Sequence, residues 1–249
     1  ILAAGCAGLL GLRPAPADGM LFSRQSPFGE VRVFDSEGRR FLLVDGVTQS
    51  VARPEEKPTF GMLPPFETES PYLHTLELAA AARPLAERAL FIGSGAGLLP
   101  VAFEVFRLLP SDVVEIDPVM LEAAKLFGYP PDSVAIPHPS GNVFVEDGRA
   151  FLQRNAQRYD IIILDAFVGE NPPYHLFTAE SFQAARRSLA PGGIVAANLV
   201  SLVSAAKGDA WVTALKTMRS VFPETRAYLA SPPYKGLANI VFFCSDAPL

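Results

Sequence analysis

Four short segments carry residue types that could do chemistry, and each follows a run that reads as a strand. The first is Gly93-Ser94-Gly95-Ala96-Gly97. Glycines so spaced let a strand turn sharply into a helix and let a ligand approach the backbone. The second is Glu115, 20 residues beyond Gly95. An acid at that offset can accept both hydroxyls of an adenosine ribose. The third is Asp147-Gly148, whose carboxyl could accept a hydrogen bond from an adenine amine, cap a helix, or do both. The fourth is Asp165, at the end of YDIIILD and ahead of the loop AFVGENPPY, which makes it the acid most open to reaction. A Gly-rich turn alone occurs in many ligand-free α/β turns; the turn taken with Glu115 is the signal for an adenosine compound. The expected contacts are then Gly93, Gly95, Gly97, Glu115, Asp147 and Gly148.

The elements that must position these residues alternate. From Arg88 onward short apolar runs (ALFIG, DVVEID, NVFVED, YDIIILD, GGIVAANL) are separated by helical stretches such as PVMLEAAKLFG, closed by Gly128, and AESFQAARRSLA. A longer helix is expected over roughly 205–222, and two strands near RAYLA and NIVFFC close the chain. Strands this apolar are buried on both faces, which implies a parallel sheet with helices on either side. Open sheets of this kind bind ligands at the carboxyl ends of their strands, where all four segments fall. Pro191-Gly192-Gly193 before a strand, with two terminal strands after a long helix, fits a methyltransferase-like, Rossmann-like doubly wound sheet that takes S-adenosyl compounds.

Upstream, EVRVFD and RFLLVD flank a Gly-containing turn and predict a β-hairpin. Residues 51–69 are rich in Pro and Glu and predict a loop. Ser70-Pro71 predicts a helix start, with YLHTLELAAAA continuing it. The resulting organisation is an apolar segment and linker over 1–19, a small N-terminal β-domain over 20–69, and an S-adenosyl-compound-binding α/β domain over 70–249.

Composition narrows the function classes. Half of the residues are hydrophobic (49%), which excludes a disordered or fibrous chain. The net charge is −5 and no Lys/Arg run exists, so nucleic acid is not an expected partner. Two cysteines, Cys6 and Cys244, and three scattered histidines give neither a disulfide framework nor a zinc pattern, and no metal is expected. The chain opens on ILAAGCAGLLGL, twelve apolar residues followed by the linker-like RPAPADG. Spanning a bilayer takes about 20 residues. The segment therefore reads either as a signal-peptide remnant or short buried helix, or as the last turns of a truncated transmembrane helix that would attach the chain to a membrane.

From about Ser26 to Phe243 the sequence resembles the spermidine synthase (polyamine aminopropyltransferase) family. LLVDGVTQS, with Gln49, resembles the family's leucine-aspartate-glycine segment and its following glutamine. Tyr72 matches the tyrosine of the helix before the Gly-rich turn. GSGAG stands where the family has GGGDG, VEID is kept as Val114 to Asp117, and EDGRAFL resembles the adenine-side motif. DAFVGENPPYHLFT keeps the family spacing from its catalytic aspartate, here Asp165, to Leu-Phe-Thr at 176–178, and SLAPGGIVAANL resembles the strand that follows. The resemblance extends to soluble domains of membrane-integral spermidine synthase-like proteins. It implies a site for decarboxylated S-adenosylmethionine contacted by Gln49, Glu115 and Asp147, no further cofactor, and an amine oriented or deprotonated by Asp165 with Tyr72 beside it. By analogy it also implies a homodimer. S-adenosyl compounds are made in the cytosol, so the expected location is cytoplasmic, or the cytoplasmic side of a membrane.

Three departures from the family pattern remove carboxylates: Ala96 for the aspartate of GGGDG, Val168 for the second aspartate after Asp165, and His74 for the helix glutamate. A polyamine dication drawn out of water needs paired negative charge, which Glu170 or Glu67 would have to supply. Losing the acid at 96 also removes repulsion against a substrate carboxylate. The reaction expected from these departures is acceptor-free cleavage of intact S-adenosylmethionine, a lyase step giving methylthioadenosine and homoserine lactone. Tyr72, Tyr174 or Phe167 could meet the sulfonium by cation–π attraction, and His175 could act as acid or base. The alternatives are true aminopropyl transfer, methyl transfer, and a non-catalytic nucleoside-sensing module.

Overall fold

A computed structural model describes residues 19–54, 66–130, 141–166, 173–204, 209–234 and 236–249. The apolar start, Phe167, Val168, Glu170 and the side chain of Glu67 lie outside them. Two sheets organise the chain. The first is a five-stranded antiparallel meander: β1 (Met20–Ser26), β2 (Gly29–Ser36), β3 (Arg39–Val44), β4 (Val47–Pro54) and β5 (Phe66–Thr68), in sequence order. Two of its hairpins turn on residue pairs with left-handed backbone, Glu37-Gly38 and Asp45-Gly46. That is the turn whose twist matches paired strands. The expected loop over 51–69 is corrected at both ends. β4 runs to Pro54, and Phe66–Thr68 pairs with it at Ala52, Arg53 and Pro54.

The second sheet has seven strands. They are β6 (Ala89–Ile92), β7 (Ser111–Glu115), β8 (Val143–Val145), β9 (Tyr159–Leu164), β10 (Leu189–Leu202), β11 (Glu224–Leu229) and β12 (Leu237–Ser245). Their order is β11-β12-β10-β9-β6-β7-β8. The five strands from β10 to β8 are parallel, but β12 runs antiparallel between β10 and β11, so the sheet is mixed rather than parallel throughout. The reason is local: β11 and β12 form a hairpin, and the return strand enters the sheet next to β10. The apolar pattern is the same for either direction, which is why composition misses it.

Helices cover both faces: α1 (Pro71–Ala82), α2 (Leu98–Phe106), α3 (Pro118–Ala124), α4 (Gly148–Arg154), α5 (Ala179–Arg187) and α6 (Ala210–Arg219). Successive β6 residues serve opposite cores. Ala89 and Phe91 join the cluster under α1, α2 and α3, while Leu90 and Ile92 join the cluster under α4, α5 and α6. Pro71 opens α1 as expected, but Ser70 makes no capping bond with its side chain. The first strands of the two halves, β6 and β9, lie side by side, and the chain winds outward from them in opposite directions. A crevice opens above such a switch point.

Candidate active site

The carboxyl ends of β7, β6 and β9 are tied level by backbone bonds: the Gly93 amide donates to Val114 (2.8 Å) and the Asp165 amide to Ile92 (2.9 Å). This brings Gly93, Glu115 and Asp165 to one rim. Gly93 has φ +95°, and a Cβ there would lie 2.3 Å from the Asp165 carbonyl oxygen. Glycine is what lets the end of β9 lie against the turn.

Above the rim is an open cleft whose empty space, with the solvent at its mouth included, is about 880 Å³. Gln49, Tyr72, Gly93, Gly95, Glu115, Asp147, Gly148 and Asp165 all line it. Gly97 does not. Its φ of +75° starts α2, and a Cβ would lie 2.2 Å from the Tyr129 Cβ and 2.4 Å from its ring, so packing rather than a ligand requires glycine there. Gly148 has a packing reason as well, since a Cβ would lie 2.2 Å from the Ile92 methyl. The N-terminal sheet supplies the opposite wall with Phe28, Val44, Gln49 and Ser50. It is fastened below by the Ser26 hydroxyl, which donates to Asp117 (2.6 Å), and by Arg40, which reaches the Leu126 carbonyl (2.5 Å).

Each acid is held differently. Glu115 is buried; one oxygen accepts from the Ser94 amide and hydroxyl (both 2.9 Å) and the other from the Asp117 amide (2.9 Å). Burial still pushes its carboxyl above the ordinary value, against those hydrogen bonds. Asp147 caps α4 through the Ala150 amide (2.8 Å), and its second oxygen meets the His175 ring at 2.8 Å. Burial works to raise it, but the Ala150 amide and His175 outweigh that and hold the carboxyl below the ordinary value. Asp165 accepts from the Asn198 amide at 2.9 Å and from the Tyr72 hydroxyl. Burial pushes it up to about 6, although both bonds favour the charged form.

Among the described residues five carboxyls line the cleft: Glu115, Asp117, Glu146, Asp147 and Asp165. Among the described lining residues His175 is the one basic side chain and there is no Lys or Arg. Ile116, Val114, Met120, Phe28 and Leu176 provide apolar surface between the acids. The arrangement suits a flat apolar body carrying positive charge.

Some expected residues stand elsewhere. Tyr174 is 65% exposed and does not line the cleft, so the sulfonium contact expected of it is corrected. His74 faces solvent beside Glu77 (3.7 Å). His175 lines the cleft, paired with Asp147 rather than Asp165. Asn198 was not singled out in the sequence, although an amide inside GGIVAANL was its visible signal. Ala96, 2% exposed, lies with Leu98, Leu99, Phe91 and Tyr72 around a small recess next to Asp165.

Comparison with known proteins bears on this geometry. The family model described as the spermine/spermidine synthase domain matches residues 73–248. A polyamine aminopropyltransferase from Vibrio vulnificus is 34% identical over 158 residues, 62% of this chain and 50% of its own length. An N-terminal histidine N-methyltransferase from Emericella nidulans is 33% identical over 171 residues, 64% of this chain but 28% of its own length. The chain therefore spans half or less of these two relatives. In fold, a probable spermidine synthase from Corynebacterium glutamicum superposes with a TM-score of 0.72 at 22% identity, over 94% of this chain and 82% of its own.

Proposed function

The chain belongs to the spermine/spermidine synthase domain family, and on that premise we propose that it transfers an aminopropyl group from decarboxylated S-adenosylmethionine to an amine. The observation that carries the reading is the acidic cleft, with Asp165 at the switch point hydrogen-bonded to Tyr72 and Asn198. In this reading the adenosine part lies along the end of β7. Glu115 accepts from the ribose hydroxyls, Asp147 from the adenine amine, and Ile116, Met120 and Leu176 cover the ring. Gln49 closes over it from the N-terminal sheet. No further cofactor is required.

The amine nitrogen attacks the aminopropyl carbon bonded to sulfur. The carbon–sulfur bond breaks, its electron pair goes to sulfur, and neutral methylthioadenosine leaves. The attacking nitrogen needs its lone pair, so Asp165 takes a proton from the substrate ammonium as the new bond forms, and the product leaves as the secondary ammonium. Because the sulfonium is already a good leaving group, the protein contributes positioning, charge matching and a proton acceptor. Asp165 must be ionised to accept, and Tyr72, by donating to it, directs the carboxyl toward the incoming nitrogen.

This reading replaces the acceptor-free cleavage expected from Ala96, Val168 and His74. Relatives from Vibrio vulnificus and Alkaliphilus metalliredigens are named for aminopropyl transfer, and the acidic lining offers attraction to amines in spite of those substitutions. Methyl transfer is a second reading, favoured by the likeness to a histidine N-methyltransferase.

The test is product analysis by mass spectrometry with intact or decarboxylated S-adenosylmethionine, each with and without putrescine. Methylthioadenosine that forms from the decarboxylated compound and needs the amine supports the proposal. Methylthioadenosine from the intact compound alone would overturn it in favour of cleavage, and S-adenosylhomocysteine would overturn it in favour of methyl transfer.

A further inference from the structure

Two asparagines sit where the sheet is otherwise apolar. Asn198 lies in β10 and Asn239 in β12, each 1% exposed, among strands that read IVAANLV and NIVFFC. A buried amide is costly unless its hydrogen bonds are made, so such a pair needs a reason. They form a directed chain. Asn198 Nδ2 donates to Asp165 Oδ1 at 2.9 Å, and Asn239 Nδ2 donates to Asn198 Oδ1 at 3.1 Å. We propose that Asn198 and Asn239 are positioning residues, an amide relay that holds the Asp165 carboxyl as a hydrogen-bond acceptor with its reactive face toward the cleft. The functional consequence rests on the reading of Asp165 as proton acceptor; the relay itself rests on the chain of contacts.

The direction of the chain follows from donor and acceptor counting. An ionised carboxylate only accepts, so Asn198 must present Nδ2 to it. That leaves Asn198 Oδ1 facing β12, where it needs a donor, and Asn239 supplies one. Asn239 Oδ1, at the far end, is buried and has no hydrogen-bond partner among the described residues. Turning the Asn239 amide over would set two oxygens against each other, so the orphan oxygen is the consequence of keeping every donor pointed toward Asp165. The Asn239 backbone is fixed as well. Its amide donates to the Ser231 hydroxyl (3.2 Å), and its carbonyl accepts from the Ala230 amide (2.9 Å). Neither asparagine lines the cleft, so neither contacts substrate and both act through Asp165.

The charged and titratable groups facing the same cleft come from every neighbouring element. They are Tyr72 from α1, Glu115 and Asp117 from the end of β7, Glu146 and Asp147 at the start of α4, and His175 before α5. The relay variants alter none of these, which isolates the amides.

The test is a ¹³C carboxyl titration of the full chain labelled at aspartate, the Asp165 signal being the one lost in Asp165→Asn. In Asn198→Leu/Asn239→Leu the carboxyl loses its neutral donor, and its midpoint should rise by about one pH unit. In Asn239→Leu the Asn198 amide is free to turn over, and a smaller rise in the same direction is expected. The acidic limb of kcat should move with the midpoint while KM for the S-adenosyl substrate holds. Asn239→Leu removes the orphan oxygen and fills the space with apolar atoms, so it should fold even if the double variant does not. Its melting curve checks that, and an unmoved midpoint in this variant overturns the relay. If the midpoint moves but Asp165→Asn keeps full transfer activity, the role of Asp165 as proton acceptor fails and the relay stands; if the wild type forms no transfer product, the proposed function fails.

Discussion

At the residue scale the site depends on the protonation state of one carboxyl. Burial raises Asp165 from an ordinary value of 3.8 to about 6. Transfer needs the ionised form, so kcat should climb as pH rises through about 6 and level off above it. Asp165→Asn should lower kcat by about 10²–10⁴-fold and leave binding of methylthioadenosine intact, measured by calorimetry. The same shift has a stability sign. Between about pH 4 and 6 the folded state holds a proton that the unfolded chain has released, so the stabilisation from this group is lost as pH rises through that window. Above it the folded protein keeps a charge in a poorly solvated position. Asparagine can still accept from Asn198 and carries no charge, so Asp165→Asn should melt higher than the wild type at about pH 8 and no higher at about pH 4. A variant less stable than wild type at about pH 8 would contradict this account of the carboxyl. The pattern sought, more stable and less active, is that of a group strained for function.

At the element scale, the N-terminal sheet must stay docked on α3 for the cleft to have its second wall. The Ser26 hydroxyl bond to Asp117 is short, buried and charge-assisted. Ser26→Ala should cost about 1–2 kcal/mol of stability, read as a lower urea midpoint, and should raise KM for the S-adenosyl substrate, since Phe28, Gln49 and Ser50 sit on the displaced wall. Gly148→Ala tests the other side. Its methyl would press into Ile92 of β6, and a loss of about 1–3 kcal/mol is expected. These two positions also mark how far local sequence reaches. Glu115 and Asp165 were legible because each ends an apolar run, and strand ends in such sheets are where ligands go. The capping role of Asp147 was legible, since helix capping is a local signal. Residue type alone did not separate Gly97, fixed by Tyr129, from Gly93, fixed by Asp165, because both reasons come from distant parts of the chain. Asn198 escaped notice for a related reason. Its meaning appears only when the register sets Ala197 beside Leu164 and so brings the next residues, Asn198 and Asp165, together. β5 has three residues and exists by pairing with β4, which its Pro- and Glu-rich surroundings do not announce.

At the scale of the whole molecule, charge and shape act together. The chain carries a net charge of −5, and five carboxyls among the described residues line one cleft. Several are engaged: Glu146 with Arg154, Asp147 with His175, Asp117 with Ser26. Engagement orients these groups, but Arg154 offsets only part of the negative charge. A cleft with apolar walls and one sign of charge focuses its field on what enters and raises the encounter rate with the opposite sign. The proposed substrate is a cation through its sulfonium and again through its aminopropyl ammonium; the product methylthioadenosine is neutral. Substrate capture should therefore depend on salt and product binding should not. Screening lengths contract from tens of ångströms to a few over ordinary salt concentrations. Raising salt from about 20 to about 300 mM should reduce kcat/KM for the decarboxylated compound by about 3–10-fold. The inhibition constant of methylthioadenosine should stay within a factor of about two. If both constants change together, salt is acting on the fold or on the docking of the N-terminal sheet. If neither changes, the carboxyls orient substrate at short range without attracting it, and the acidic lining contributes nothing to capture.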